Sequence, residues 1–414
     1  MRLFKSLIIL ILFCSTSLFA YTFEIENRID AEADSRGGIF FDNGSIFVAQ
    51  HHDGLWKSDA NGSLYGDTTS YDTEIYDLWK YNDHFFAVGS KGLFVYDLSG
   101  NYISALSTVT GYSLYVQNGY AYITSDKDGI AIVDISDVNN PTLVTTTMTG
   151  QKFLHIRGDA LYGDGVSKGP GDHLYLTDAS GTLYLLNDDK NGTLTLQNST
   201  TLFSKQARRI FVYSDGTVYV SSETGNLAIV SADLTTQTIW TNPDKHGGST
   251  SPVAGGVFVR SINGTRYAFI TISDGYLYML NVDNPGSISI ENRFTDGYKF
   301  NDLWVADSRI YLTSHDGFLI LKFDTNLATI SGTIFEDLSG DALADGDMNF
   351  NDSAGDQQSK HGSTVYLYRD NGDNALDDND NFVATSDTDT LGNGRYSFKN
   401  LTSGRYYVVV DSAT

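Results

Sequence analysis

The chain has 414 residues, with 51 acidic side chains against 27 basic ones and a formal charge of −24. That balance argues against a nucleic-acid partner, which needs a basic surface to neutralise phosphates. Plentiful glycine (40), tyrosine (26) and phenylalanine (23), with only 5 prolines, point away from helix and toward aromatic strands joined by glycine turns.

The chain opens with Arg2 and Lys5, an apolar run from Leu7 to Phe13, and a small residue at Ala20. This is the pattern of a secretory signal peptide cleaved after Ala20. An uncleaved membrane anchor is the alternative. Phe13 is too large to precede a lipidated cysteine, which makes lipoprotein processing at Cys14 the weaker reading. Cleavage removes Cys14, the only cysteine, so the mature chain is expected to fold outside the cell without disulfides. No later stretch is apolar enough to span a bilayer. The expected location is the extracellular region or the cell surface.

A strand-turn unit then recurs. SIFVAQHHDG ends at Gly54, HFFAVGSKG at Gly92, AYITSDKDG at Gly129, HLYLTDASG at Gly181, TVYVSSETG at Gly225, YAFITISDG at Gly275 and RIYLTSHDG at Gly317. Each glycine supplies the positive φ of a tight hairpin. A second apolar run follows each, as in LFVYD, IAIVD and YLYMLN. Short polar residues close these runs: Asp97, Asp134, Asn187, Ser231, Asn281 and Asp324. Another strand precedes each pair. DLWKYND from Asp77 and DLWVADS from Asp302 are near-copies, and SLYVQNG, FLHIRGD and RIFVYSDG take the same place elsewhere. A fourth strand follows, as in PTLVTTTM and SISIENRF.

A third strand apolar on both faces must be covered on both faces, and its neighbours are the available cover. Four antiparallel strands per unit of about 40 residues is the blade of a β-propeller, and seven glycine turns predict seven blades. The last unit lacks a fourth strand of its own. EIENRI, from Glu24 to Ile29, nearly repeats SIENRF, so the first mature strand is expected to complete the last blade and close the ring. GIAIVDISDVNNP, from Gly129 to Pro141, resembles the repeat of the LVIVD-repeat family of bacterial secreted propellers, and YLYMLNVDNPGS does so more loosely. The resemblance implies a propeller at about residues 21–326 that serves as a surface or interaction module.

Beyond Asn326 the texture changes. Residues 327–414 carry 15 acidic and 5 basic side chains, a net charge of −10. TISGTIFEDLSGD, STVYLYRD and GRYSFKNLTSGRYYVVVD read as strands of an antiparallel, Ig-like β-sandwich. In DLSGDALAD, Asp337, Ser339, Asp341 and Asp345 stand at positions 1, 3, 5 and 9, the spacing that wraps oxygens round one hard cation. Ala342 replaces the usual glycine and no Glu follows at position 12, so this is not an EF-hand. RDNGDNALDDND offers Asp370, Asn371, Asp373, Asp377 and Asp380, whose mutual repulsion a divalent ion would relieve.

Together GTIFEDLSGD, VYLYRDNGDNALDDND and TDTLGNGRYSFKNLTSGRYYVVVD resemble the SdrD B-like module of bacterial surface proteins. The resemblance implies a calcium-binding (Ca2+), Ig-like spacer, with Asp337, Asp341, Asp345, Asp370, Asp373 and Asp377 on its acidic loops. The second loop is one residue shorter than that pattern, and residues 348–360 are longer and more polar. ISGTIFED has no lysine, so a Lys–Asn crosslink is not expected.

No GxSxG elbow, HExxH helix or Walker loop is present. His51, His52 and Asp53 are adjacent on a turn, as are His315 and Asp316, and adjacent turn residues splay apart. Trp56, Trp79, Trp240 and Trp304 lack the spacing of quinone-cofactor propellers. Trp79 and Trp304 hold the same place in two repeats and are expected to pack between blades. Residues just before the first strands include Arg36, Lys152, Arg208 with Arg209, and Lys299, near Tyr76, Tyr112 and Phe153. They suggest a cationic, aromatic mouth for an anionic or sugar-like ligand.

The sequence therefore predicts an exported, all-β, non-enzymatic protein. Its propeller would bind a surface protein or glycan, and its calcium-stiffened sandwich (327–414) would act as spacer. The rivals are an exported polysaccharide hydrolase or lyase at the propeller mouth, which needs converging carboxylates, and a structural subunit of a surface layer.

Overall fold

A computed structural model describes residues 21–29, 38–42, 44–50, 54–59, 64–67, 74–125, 129–159, 171–244, 255–272, 274–314, 317–325, 328–333, 335–336, 357–358, 364–371, 375–377, 380–387, 395–401 and 405–410. The expected signal peptide lies outside them. The described residues are strands and turns. They divide into two compact units, one formed by Phe23–Asp324 and one carrying the strands from Ala328 onward.

The larger unit contains four-stranded antiparallel sheets with the features of propeller blades. Six follow chain order and begin at Ile39–Asp42, Ile75–Tyr81, Ser113–Gln117, Phe153–Gly158, Ala207–Val212 and Val257–Ile262. They are sheets one to six. Sheet seven runs Phe300–Ala306, Arg309–Ser314, Gly317–Thr325 and then Tyr21–Ile29, so its fourth strand comes from the start of the described chain.

The local chemistry of each sheet follows the sequence. Gly54, Gly92, Gly129, Gly181, Gly225, Gly275 and Gly317 all have positive φ, as tight turns between second and third strands require. At Gly129 a Cβ would also overlap the carbonyl oxygens of Thr147 and Met148, where the fourth strand ends. Asp97, Asp134 and Asn281 accept from backbone N–H groups of the following turns, at 2.8, 2.8 and 3.1 Å. Those bonds let the third strand hand over to the fourth without unmet amides.

Burial falls from the first strand outward. The third strand Ile130–Asp134 is buried on both faces up to its last residue, whereas the fourth strand Thr142–Thr147 is largely exposed. Neighbouring sheets supply the cover. Trp79 meets Phe40 of sheet one at 5.6 Å and Tyr115 of sheet three at 4.9 Å. Trp304 meets Phe258 of sheet six at 5.0 Å and Phe40 of sheet one at 4.8 Å. Each tryptophan thus spans three sheets, as the repeated DLW words suggest. One apolar cluster joins Ile39, Ile46 and Val48 of sheet one to Tyr311, Phe318 and Ile320 of sheet seven.

Side chains also fasten the first strand. Arg309 grips both oxygens of Glu26 at 2.5 and 2.6 Å. Arg28 donates to Asp296 at 2.9 Å and lies over the ring of Tyr298 at 4.3 Å.

In the smaller unit, Ala328–Thr333 pairs with Arg395–Leu401, and Thr364–Arg369 lies between Asn381–Asp387 and Tyr406–Val410. Val365, Leu367, Tyr396, Phe398 and Val408 form one core shared by both sheets.

Candidate functional site

The first strands of the seven sheets share a three-residue register. It reads Gly38-Ile39-Phe40, Asp77-Leu78-Trp79, Ser113-Leu114-Tyr115, His155-Ile156-Arg157, Arg209-Ile210-Phe211, Gly256-Val257-Phe258 and Asp302-Leu303-Trp304. The middle residues occupy matched positions, pairing with Val48, Ala87, Ile123, Leu176, Val220, Ile270 and Leu312 of the second strands. First and third members of each triplet lie on one side of the strand. The result is a polar tier and an aromatic tier, with Arg157 standing in the aromatic one.

Bulges set the polar tier in place. The first pairing shifts register at Ile75/Asp77, Phe153/His155, Ala207/Ile210 and Phe300/Leu303. An extra residue there turns the next side chain. Those four strands carry Asp77, His155, Arg209 and Asp302. The glycines of the tier make room: a Cβ on Gly38 would lie 2.5 Å from Asp77 Oδ1, and one on Gly256 would lie 2.7 Å from Asp302 Oδ1.

Asp77 is wholly buried and heavily coordinated. Arg157 donates to its two oxygens at 3.0 and 3.2 Å. Ser113 Oγ donates at 2.5 Å, and the backbone N–H groups of Leu78 and Leu114 donate at 3.1 and 3.2 Å. Arg157 also lies 4.8 Å over the Trp79 ring. Arg209 stands between the two carboxylates, 3.6 Å from Asp77 and 3.5 Å from Asp302. These partners come from sheets two, three, four, five and seven, so the polar tier converges across the unit.

Charge follows from this placement. Burial works to raise the Asp77 pKa, but Arg157 and Arg209 win and hold it below the usual carboxylate range. Burial raises that of Asp302, Asp77 adds to the rise, and Arg209 only partly offsets it. His155 is pushed well below the usual imidazole range by burial and by the two guanidinium groups, so its ring is neutral. Its Nδ1 accepts from the Ile210 backbone at 3.1 Å, which puts the proton on Nε2.

The tiers line a partly open cavity that leaves about 50 Å³ for the centres of water-sized molecules. Trp79, Trp304, Phe211 and Phe258 supply apolar walls, and His155, Arg157, Arg209 and Asp302 supply the polar groups.

Of the described mouth residues expected from the sequence, Arg209 lines the cavity and the others do not. Arg36 lies outside the described residues. Tyr76 donates to Glu74 at 2.5 Å and packs on Tyr112 at 5.7 Å. Lys152 and Lys299 are exposed. Arg208 is buried, 3.6 Å from Glu223, and burial pushes its pKa down to about 10. None of these five lines the cavity. Its neighbour Arg209 does. The signal that finds the gathered set is the triplet of any residue, an aliphatic and an aromatic, which aligns His155 rather than Phe153 with Asp77.

Of the acidic loops, Asp337, Ser339, Asp341, Asp345 and Asp373 lie outside the described residues, as do His51, His52, Asp53, His315 and Asp316. Asp370 sits 3.6 Å from Arg405. Asp380 is buried and accepts from the backbone of Asn371 at 3.0 Å and of Asp377 at 3.2 Å, which knits the loop together. Asp377 and Asn371 are exposed. Among the described residues no group of three His, Cys, Asp or Glu is placed to hold a metal, and no helix is long and apolar enough to cross a membrane.

Residues 111–149 match the LVIVD repeat. Comparison with curated proteins finds no match. Among solved structures, the computationally designed Ika8 protein is similar over 71% of this chain and 98% of its own, with 11% identity and a TM-score of 0.48.

Proposed function

We propose that the chain is an exported, non-enzymatic protein of the cell surface or extracellular space. In this reading the seven sheets are the blades of one propeller, closed by Tyr21–Ile29, that binds a surface protein or glycan. The C-terminal unit is an Ig-like, SdrD B-like spacer stiffened by calcium. The observation that carries the binding reading is the cavity at the first strands. It is concave and walled by aromatic rings, with a few convergent polar groups, which is the make-up of a binding site. The polar groups themselves favour holding over proton transfer, because the Asp77 carboxylate is committed to Arg157, Ser113 and two backbone amides.

One observation favours the hydrolase alternative. Asp77 and Asp302 share Arg209, and their pKa values are shifted in opposite directions, Asp77 down and Asp302 up, the separation an acid and a base need. A screen of the purified chain against arrayed glycans and surface proteins tests both readings. Binding that leaves the ligand's mass unchanged supports the platform; shortened polysaccharide supports the hydrolase or lyase; an unreactive array with self-association supports a surface-layer subunit.

A further inference from the structure

His155 brings an unmet hydrogen-bond donor to the wall of the cavity. The residue is 2% exposed, and its Nε2 has no partner among the described residues. The other ring nitrogen is fixed, because the backbone N–H of Ile210 on sheet five donates to Nδ1 at 3.1 Å. That bond between sheets leaves the proton on Nε2, so the unmet position is an N–H. Buried donors in folded proteins are met, either by the protein or by something bound. The room beside this one is small and walled in large part by the rings of Trp79, Trp304, Phe211 and Phe258. It leaves about 50 Å³ for the centres of water-sized molecules, and one water needs about 10–15 Å³ on that measure, so about four atoms of that size fit. We propose that the cavity takes the acetyl group of an acetylated sugar, its carbonyl oxygen accepting from His155 Nε2 and its methyl group lying against the rings. The inference rests on the binding reading above and names the chemistry of the ligand.

The acetyl group matches the site in kind and in size. A carbonyl oxygen accepts and does not donate, so it meets a lone N–H without bringing a donor that needs its own acceptor. A sugar hydroxyl brings such a donor with it. The His155 ring is neutral, so its bond to an uncharged carbonyl calls for no opposite charge. A water molecule also meets the N–H, but it gains nothing from the aromatic walls, whereas the methyl group is removed from solvent there. The cavity is partly open, so the acetyl group enters while the hydroxyls of the sugar stay in water. An acetylated lysine presents the same group on a flexible chain. The sugar carries it on a rigid ring and loses less freedom on binding.

Trp79 and Trp304 line the cavity and supply a signal. The full chain is titrated with N-acetylglucosamine, glucose, N-butyrylglucosamine and N-acetyl-lysine amide, and intrinsic fluorescence is read. N-acetylglucosamine should bind about tenfold more tightly than glucose, which lacks the acetyl group. It should also bind more tightly than N-butyrylglucosamine, whose longer chain exceeds the room. His155→Phe keeps a flat ring without the N–H, so the preference over glucose should fall to about twofold or less. His155→Gln restores a donor and should keep part of the preference. Thermal melts establish that each variant is folded, and the comparison of acetyl with butyryl on the native chain keeps the test open if His155→Phe does not fold. Equal binding of N-acetylglucosamine and glucose overturns the assignment, as does tighter binding of the butyryl sugar or a preference left unchanged in folded His155→Phe. Tighter binding of N-acetyl-lysine amide overturns the sugar in favour of a protein ligand and leaves the binding reading intact. A chain that takes none of the four probes also overturns the assignment, and the glycan and protein screen then decides separately for the platform.

Discussion

Asp77 and Asp302 begin two near-identical words, DLW, and occupy the same register on their strands, yet their pKa values are shifted in opposite directions. The difference lies in their partners. Asp77 receives a two-pronged guanidinium, a hydroxyl and two amides, whereas Asp302 shares Arg209 at longer range. The sign of each contribution follows. A folded-state pKa below the unfolded value of about 3.9 means that Asp77 stabilises the fold above that pH and loses its contribution as pH falls through the folded value. A raised folded-state pKa means that ionised Asp302 costs stability at neutral pH, and that the cost disappears as pH falls from the folded value toward about 3.9. Asp77→Asn should therefore lower stability at neutral pH by about 3–5 kcal/mol, because it strands Arg157 in the interior. Asp302→Asn should leave stability unchanged or raise it. Urea unfolding of both variants near neutral pH checks the pair, and equal losses would refute the asymmetry. The sequence shows the two DLW words but not this contrast, because Arg157 and Arg209 arrive from strands far along the chain.

Turns between second and third strands were the most legible elements. Each is encoded by its own glycine, a local signal that depends on no distant partner, and all seven have the expected positive φ. Gly129→Ala forces a side chain into left-handed backbone and against the carbonyls of Thr147 and Met148. It should cost about 1–3 kcal/mol, read as a lowered melting temperature, while Gly119→Ala should cost less, since its Cβ meets open space. The first strands were read less well. Their aliphatic cores are visible, and RIFVYSDG aligned with DLWKYND sets Arg209 in register with Asp77, but the bulge at Phe153/His155 offsets FLHIRGD by two residues, so that alignment places Phe153 where His155 stands. Pairing of Tyr21–Ile29 with Gly317–Thr325 was legible from the likeness of EIENRI to SIENRF. Its fastening by Arg309 to Glu26 and by Arg28 to Asp296 was not. Arg309→Ala should loosen this strand by about 1 kcal/mol or less, because the pair is part-exposed, with hydrogen exchange of the strand as the readout.

At the scale of the whole molecule, two units with different chemistry share one chain. The larger derives its order from sheets that cover one another's faces, the smaller from one modest core, and its sequence carries the acidic loops. If calcium supports those loops, chelation should lower the melting temperature of the C-terminal unit and leave the larger one nearly untouched, a split that calorimetry resolves. Equal melting with and without chelator would argue against the metal. The cavity exists only if the first strands stay gathered, and the reading of seven blades closed by the earliest strand is what gathers them. The most direct test removes residues 22–28 and follows amide exchange across the chain. A closed ring predicts that protection falls together in sheets one to seven; a loss confined to Gly317–Thr325 would contradict it.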